Sequence, residues 1–365
     1  MSAYPVCTWA NGCCDRHPKS EACLSSKERS VLRHRRLVWG RNDVIQTGRN
    51  AENGQFSAED RLFNESDPWL GAAAKTGRYK RGISMLNFAA HGVRILSSTA
   101  TNAATDTSAG TSSPPCGVTV VMAESRELSV DGYWTKAIAL NYEYALHHGY
   151  GFVLVLPPAR LPVKKLVWCK IRALLEEMRS RLHASAQCTW LAYLDSDAFL
   201  STREPLPALL RQHGVDDRVH FVLAREEASP DHNFTMPFLL NTGVLFVRAS
   251  AWSAAMLRAW DEGHKTLACQ HFHRQSEQQC LERLLLGDDR ARLPHPGVRR
   301  VAISPMRLFN SPWGRHVVHI WGDPPVRNTR QLVFGQALEA RGVRSSASLA
   351  KLIEGVRKSA RKGVC

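Results

Sequence analysis

The stretch Trp190-Leu191-Ala192-Tyr193-Leu194-Asp195-Ser196-Asp197-Ala198-Phe199-Leu200 constrains the chain more than any other. Apolar residues run without alternation into two aspartates spaced i, i+2, and a further apolar run follows. Such a run, bounded by polar segments, reads as a strand buried on both faces. Two carboxylates inside it would be costly unless paired or metal-bound. They therefore belong where the strand emerges, at its carboxyl end, which is the ligand-binding edge of open α/β sheets. Neighbouring carboxylates repel, and a hard divalent cation relieves the repulsion. The stretch is thus either a metal site for a phosphorylated ligand or a strand-to-loop turn with solvated acids. A lone D-x-D leaves both open.

The flanking pattern supplies a sheet. Order begins at Cys116, and residues 117–122 are rich in β-branched side chains, as strands are. Residues 134–147 have helical spacing, with Gly149 as a stop. A strand over 152–156 ends at Pro157-Pro158, an amphipathic helix follows over 166–182, and the strand 190–194 comes next. This β-α-β-α-β run predicts a largely parallel sheet with right-handed crossovers. Beyond it, a short helix is expected over 206–212 and a strand over 219–224. The apolar run 238–247 is interrupted at Asn241-Thr242-Gly243, where glycine signals a bulge or a close approach of backbone to a ligand. Helices are expected over 250–260, with Ser250 as N-cap, and over 276–286. A last strand covers 317–320, and a basic amphipathic helix covers 346–362. An amphipathic helix is also expected over 82–98.

The domain division follows. Residues 1–96 read as an N-terminal extension, 97–115 as a Ser/Thr/Ala-rich linker, 116–335 as the catalytic α/β domain and 336–365 as a basic C-terminal helix or tail. The net charge of +15 is densest in that tail, which argues against a nucleic-acid-binding core. Cysteines 7, 13, 14 and 23 cluster early and leave disulfides, a metal site or free thiols open. No pair in the middle has C-x-x-C spacing, so zinc is not expected there. Sequons stand at Asn64 and Asn233. No run of about 18 apolar residues is present, and residues 1–30 lack the apolar core of a signal peptide.

Taken in order, the pieces form a series: N-Y-x-Y-A-x-x-H-G-Y (141–150), W-x-K-I (168–171), W-L-A-Y-L-D-S-D-A (190–198), N-T-G-V-x-F-V-R-x-S-x-W-S (241–253), E-Q (277–278) and V-H-x-x-G (318–322). This series resembles glycosyltransferases of the GT-A type. In particular it resembles the galactosyl/mannosyl/xylosyl transferase family, which includes yeast Golgi α-galactosyltransferases and plant xyloglucan xylosyltransferases. The resemblance covers about residues 116–325. It implies a Rossmann-like GT-A domain with a mostly parallel central sheet. It also implies Mn²⁺ and a nucleotide-diphosphate sugar donor, a UDP-sugar by preference. A hexose or pentose would pass, with retention, to a glycan or glycoprotein acceptor.

By the same resemblance, Asp195 lies near the ribose and the metal, Asp197 binds the metal and His319 is the third protein ligand. Oxygen ligands with one imidazole suit Mn²⁺. Lys170, Ser196, Asn241, Gly243 and Gly322 join Asp195 on the donor. Glu277 and Gln278 stand beside the reacting sugar as the catalytic pair, and residues 120–124 hold the nucleoside base. Some relatives carry a lysine shortly after H-x-x-G. Here Asp323, Pro324 and Pro325 follow, and Arg327 is the nearest substitute. The family's Golgi or secretory location is expected, although no anchor is visible. Other retaining GT-A families, glycogenin-like or arabinosyltransferase-like, share this logic, as would a catalytically inactive GT-A binding module. A haloacid-dehalogenase phosphatase also uses D-x-D, but it needs Thr or Val where Phe199 stands.

Overall fold

The computed structural model describes residues 93–96, 117–158, 163–183, 189–225, 240–263, 276–286, 298–312, 314–321 and 327–365. The early cysteine cluster, both sequons and Gly322 lie outside these. The elements are β1 (Arg94–Ile95), β2 (Gly117–Ala123), α1 (Tyr133–His148), β3 (Gly151–Leu156), α2 (Val163–His183), β4 (Thr189–Leu194), β5 (Ala198–Leu200), α3 (Leu206–Gln212) and β6 (Phe221–Arg225). Then come β7 (Leu240–Arg248), α4 (Ala251–Glu262), α5 (Ser276–Leu285), β8 (Val301–Ser304), α6 (Met306–Phe309), β9 (Val317–His319), α7 (Arg327–Ala340), α8 (Ser346–Lys358) and β10 (Ala360–Lys362).

Among the described residues, eight strands form one sheet in the order β1-β8-β6-β7-β4-β2-β3-β10. Every pairing in it is parallel except those of β7, which runs against both β4 and β6. The mixed α/β class and the mostly parallel sheet are as the alternation of elements predicts. β4 lies between β2 and β7, and all six of its residues are buried. That burial explains its unbroken apolar sequence. The sheet faces alternate cleanly. Val120, Met122, Trp190, Ala192 and Phe246 pack under α1, α7 and α8. Val121, Val153, Leu191, Tyr193 and Leu245 pack under α2, α4 and α5.

Local signals hold at several ends. Gly149 caps α1 at φ 66°, and Ser250 caps α4 by accepting from the Ser253 amide. Two expectations are corrected. The helix expected over 82–98 does not reach its end, because Arg94–Ile95 is a strand paired with Ala302–Ile303. Val93 and Leu96 flank this pair and are buried, so sheet pairing decides the conformation. The helix expected through 362 stops at Lys358. Residues 360–362 instead pair with Leu154–Leu156 of β3, which would otherwise be an open sheet edge. Residues 336–365, set apart in the sequence as a tail, thus supply α8 and a strand of the main sheet. Cys365, the last residue, is disulfide-bonded to Cys169 of α2. No helix among the described residues is long and apolar enough to cross a membrane.

Two residues that no motif marks form a buried pair. His213 at the end of α3 and His316 before β9 face each other Nε2 to Nε2 at 3.0 Å, with Phe309 against both rings. Burial lowers the pKa of His213 from 6.5 to about 4, with Arg315 adding to the effect. Burial, the partner ring and Arg315 lower that of His316 to about 3. The unfolded chain takes up these protons near pH 6.5 and the folded chain does not. The pair's contribution is therefore complete above pH 6.5 and is lost as pH falls towards 4. Denaturant titrations between about pH 7 and pH 4 are expected to show a steeper loss of stability for the native chain than for a His213→Gln/His316→Gln variant. Parallel curves would count against this origin.

Candidate functional site

The site forms where β4 ends. The Asp195 amide bonds the Gly243 carbonyl at 2.7 Å, and Ala198 N closes a turn on Asp195 O at 2.9 Å. The chain then enters β5, which pairs antiparallel with β9 so that Ala198 faces His319. A second bond runs from Ile320 N to Asp197 O at 2.9 Å. A short two-stranded sheet therefore carries a histidine 122 residues away to the D-x-D turn. One ligand atom each from Asp195, Asp197 and His319 lies within 4.8 Å of the others.

Each of these side chains is held from behind. Asp195 Oδ1 accepts from the Tyr193 hydroxyl at 2.8 Å and lies 3.5 Å from Lys170 Nζ. Asp197 Oδ2 lies 3.0 Å from Arg330 Nη2. His319 Nδ1 lies 2.6 Å from Asn310 Oδ1. Asn310 Nδ2 donates to the Arg225 carbonyl at 3.4 Å, which turns its oxygen towards the ring. Nδ1 is then the protonated nitrogen, and Nε2 presents its lone pair to Asp197 Oδ1 at 3.0 Å. Two acceptors at that distance require positive charge between them, as a proton or a metal ion. Backing partners of this kind fix ligand orientation in metal sites. The donor set thus fits a divalent ion that accepts carboxylate and imidazole ligands.

Gly243 keeps the space open. A Cβ there would run into the His319 ring and come to 2.7 Å from Asp195 Oδ2. The backbone reaches this point through an irregularity in β7. Leu223 pairs with Leu245 but Ala224 pairs with Asn241, so Thr242, Gly243 and Val244 bulge away from β6. Asn241 Oδ1 accepts from the Gly243 amide at 2.8 Å, and Gln278 Oε1 accepts from Thr242 N at 3.1 Å. Asn241 and Gln278 therefore shape the bulge.

Beside it lies a buried charge cluster. Lys170 Nζ is 3.4 Å from Glu277 Oε1 and donates to the Thr242 carbonyl at 3.3 Å. Burial pulls the Lys170 pKa down, but Asp195 and Glu277 more than reverse this and hold it charged. Burial pushes the Glu277 carboxyl up, against the pull of Lys170. Its Oε2 has no hydrogen-bond partner among the described residues. Burial and the Asp195 carboxylate push the Tyr193 hydroxyl well above its ordinary value, so it stays a donor. For Asp197, burial raises the pKa, and His319, Arg330 and Arg126 overcome it and hold the group below the usual range.

The predicted residues Lys170, Asp195, Ser196, Asp197, Asn241, Gly243, Glu277, Gln278 and His319 thus lie in one connected region. Ser196 Oγ accepts from Arg126 Nη2 at 2.9 Å. Arg126 also pairs with Glu124 at the end of β2, the strand end expected to hold the base. Sequence reasoning missed Asn310, Arg330 and the role of Tyr193. Only Tyr193 stood within a motif.

No protein-family model and no curated protein matches the chain. Among solved structures, a glycosyltransferase involved in the glycosylation of the major capsid of PBCV-1 is similar at 15% identity and a TM-score of 0.42, covering 61% of this chain and 100% of that one.

Gly243→Ala is expected to fold with a loss of about 1–3 kcal/mol from overpacking and to bind Mn²⁺ far more weakly than the native chain. Isothermal titration with Mn²⁺, paired with a denaturant melt, checks both. Unchanged Mn²⁺ affinity would show that the space beside His319 is not where an ion sits.

Proposed function

We propose that the chain is a metal-dependent glycosyltransferase of the GT-A type. It would move a hexose or pentose from a nucleotide-diphosphate sugar, a UDP-sugar by preference, to a glycan or glycosylated acceptor with retention. The observation that carries this reading is the convergence of Asp195, Asp197 and His319 at the carboxyl edge of a mostly parallel sheet, with one ligand atom of each within 4.8 Å of the others and each side chain backed by a protein partner. That edge is where α/β sheets bind nucleotides. Strand β7, antiparallel to both β4 and β6, brings the Thr242–Val244 bulge to the same place. The disulfide between Cys169 and Cys365 fits the oxidising compartment expected from the resemblance.

Asp195, Asp197 and His319 would hold Mn²⁺, which when bound supplies Lewis-acid stabilisation of the departing diphosphate. The chain's own groups do the rest. Lys170 fixes Asp195 and Glu277 relative to each other through bonds to both. Glu277 keeps Oε2 uncommitted in a buried setting. A carboxylate so placed stabilises positive charge developing at an anomeric carbon, and low polarity around it strengthens the effect. Gln278 and Asn241 hold the bulge that lets backbone approach the sugar.

The test is a panel of nucleotide sugars assayed for Mn²⁺-dependent binding and for transfer or slow hydrolysis. One donor is expected to bind and turn over, with both lost in Asp197→Ala. Glu277→Gln should keep donor affinity and lose on the order of 100-fold in turnover. Binding without any turnover would favour an inactive binding module. If no nucleotide sugar binds, the reading is wrong.

A further inference from the structure

We infer that Arg330 is the positioning residue for Asp197, which makes α7 part of the apparatus that holds the ion; this rests on the metal-dependent reading above. The guanidinium is buried and uses all three nitrogens in different directions. Nη2 pairs with Asp197 Oδ2 at 3.0 Å. Nε donates to the Ile320 carbonyl at 2.5 Å. Nη1 donates to the Tyr133 hydroxyl at 3.1 Å, with the guanidinium 4.9 Å from the ring centroid. Ile320 directly follows His319. One side chain therefore ties the carboxylate of the D-x-D turn to the backbone of the strand that carries the third ligand. Tyr133, at the start of α1, supports it from the other side.

This arrangement commits Asp197 Oδ2 to Arg330 and turns Oδ1 to His319 Nε2 at 3.0 Å. Without Arg330 the carboxylate can rotate about its last torsion, and the end of β9 loses its tie to α7. Two opposed effects act on an ion. The positive charge of Arg330 weakens its attraction to the site, and the fixed carboxylate strengthens its binding. Lysine separates the two, because it keeps the charge and cannot make three divergent bonds. Removing the partner of a metal ligand typically costs 10–100-fold in metal affinity.

The experiment is Mn²⁺ binding without donor, read by isothermal titration and by the electron paramagnetic resonance spectrum of the bound ion. Wild type, Arg330→Lys and Tyr133→Phe are compared well below their melting temperatures. Arg330→Lys is expected to bind Mn²⁺ 10–100-fold more weakly with an altered spectrum, and Tyr133→Phe several-fold more weakly. A purely structural role would lower the melting temperature and leave affinity and spectrum unchanged, which would overturn the inference. If Arg330→Lys does not fold, Tyr133→Phe decides, and unchanged affinity there counts against the role. If wild type itself does not bind Mn²⁺, the metal-dependent reading falls and takes this inference with it. If wild type binds and the variants bind equally, only the inference falls.

Discussion

Two carboxylates and an imidazole nitrogen share one small space at the edge of the sheet, and the structure around them can be understood as what keeps them there. Like charges about 4 Å apart repel by about 4 kcal/mol at the effective dielectric of a protein surface. An unsupported loop would relieve this by turning the side chains outward. Here each is anchored to a rigid element. Asp195 follows directly on a fully buried strand. Asp197 directly precedes β5, and His319 is the last residue of β9, paired with Ala198. The cations that offset the charge, Lys170 and Arg330, sit behind the carboxylates and not between them. The space in the middle is bounded by Gly243, the one residue type whose lack of a Cβ leaves it open.

How far this was legible in the sequence depended on the range of the interaction. β4 was readable from its unbroken apolar run and α1 from helical apolar spacing, because their burial is decided over neighbouring residues. The D-x-D and the interruption at Asn241–Gly243 were visible as breaks in apolar runs. β8 has four residues and β1 two, too few for a period to show. α7 was missed because Gly335 breaks its pattern and because its buried face includes an arginine. Asn310 and Arg330 carry no local signal at all. Their partners are Arg225, His319, Ile320, Asp197 and Tyr133, and only a folded chain assembles them.

Lys170 stands among protein partners within the cluster. It was expected to reach the donor. The structure spends its ammonium on Asp195, Glu277 and Thr242, all from the protein. One cation between two carboxylates leaves the cluster with excess negative charge, and Glu277 Oε2 is left without a partner. Such a cluster favours a cationic visitor over an anionic one.

The chain's last residues bear on the same lysine. A dense basic segment reads as a solvated tail when only its charge is counted. Two of its arginines instead have defined acidic partners in the domain. Arg341 pairs with Glu143 of α1, and Arg361 pairs with Glu177 of α2, both at 2.9 Å. The disulfide then joins Cys365 to Cys169, the residue before Lys170. Helix α2 is thus tied by a salt bridge at Glu177 and a covalent link at Cys169, two turns apart on the helix that carries Lys170. The distance from Lys170 to Asp195 and Glu277 depends on how α2 lies on the sheet. That placement is set partly by residues nearly two hundred positions downstream, 196 in the case of the disulfide.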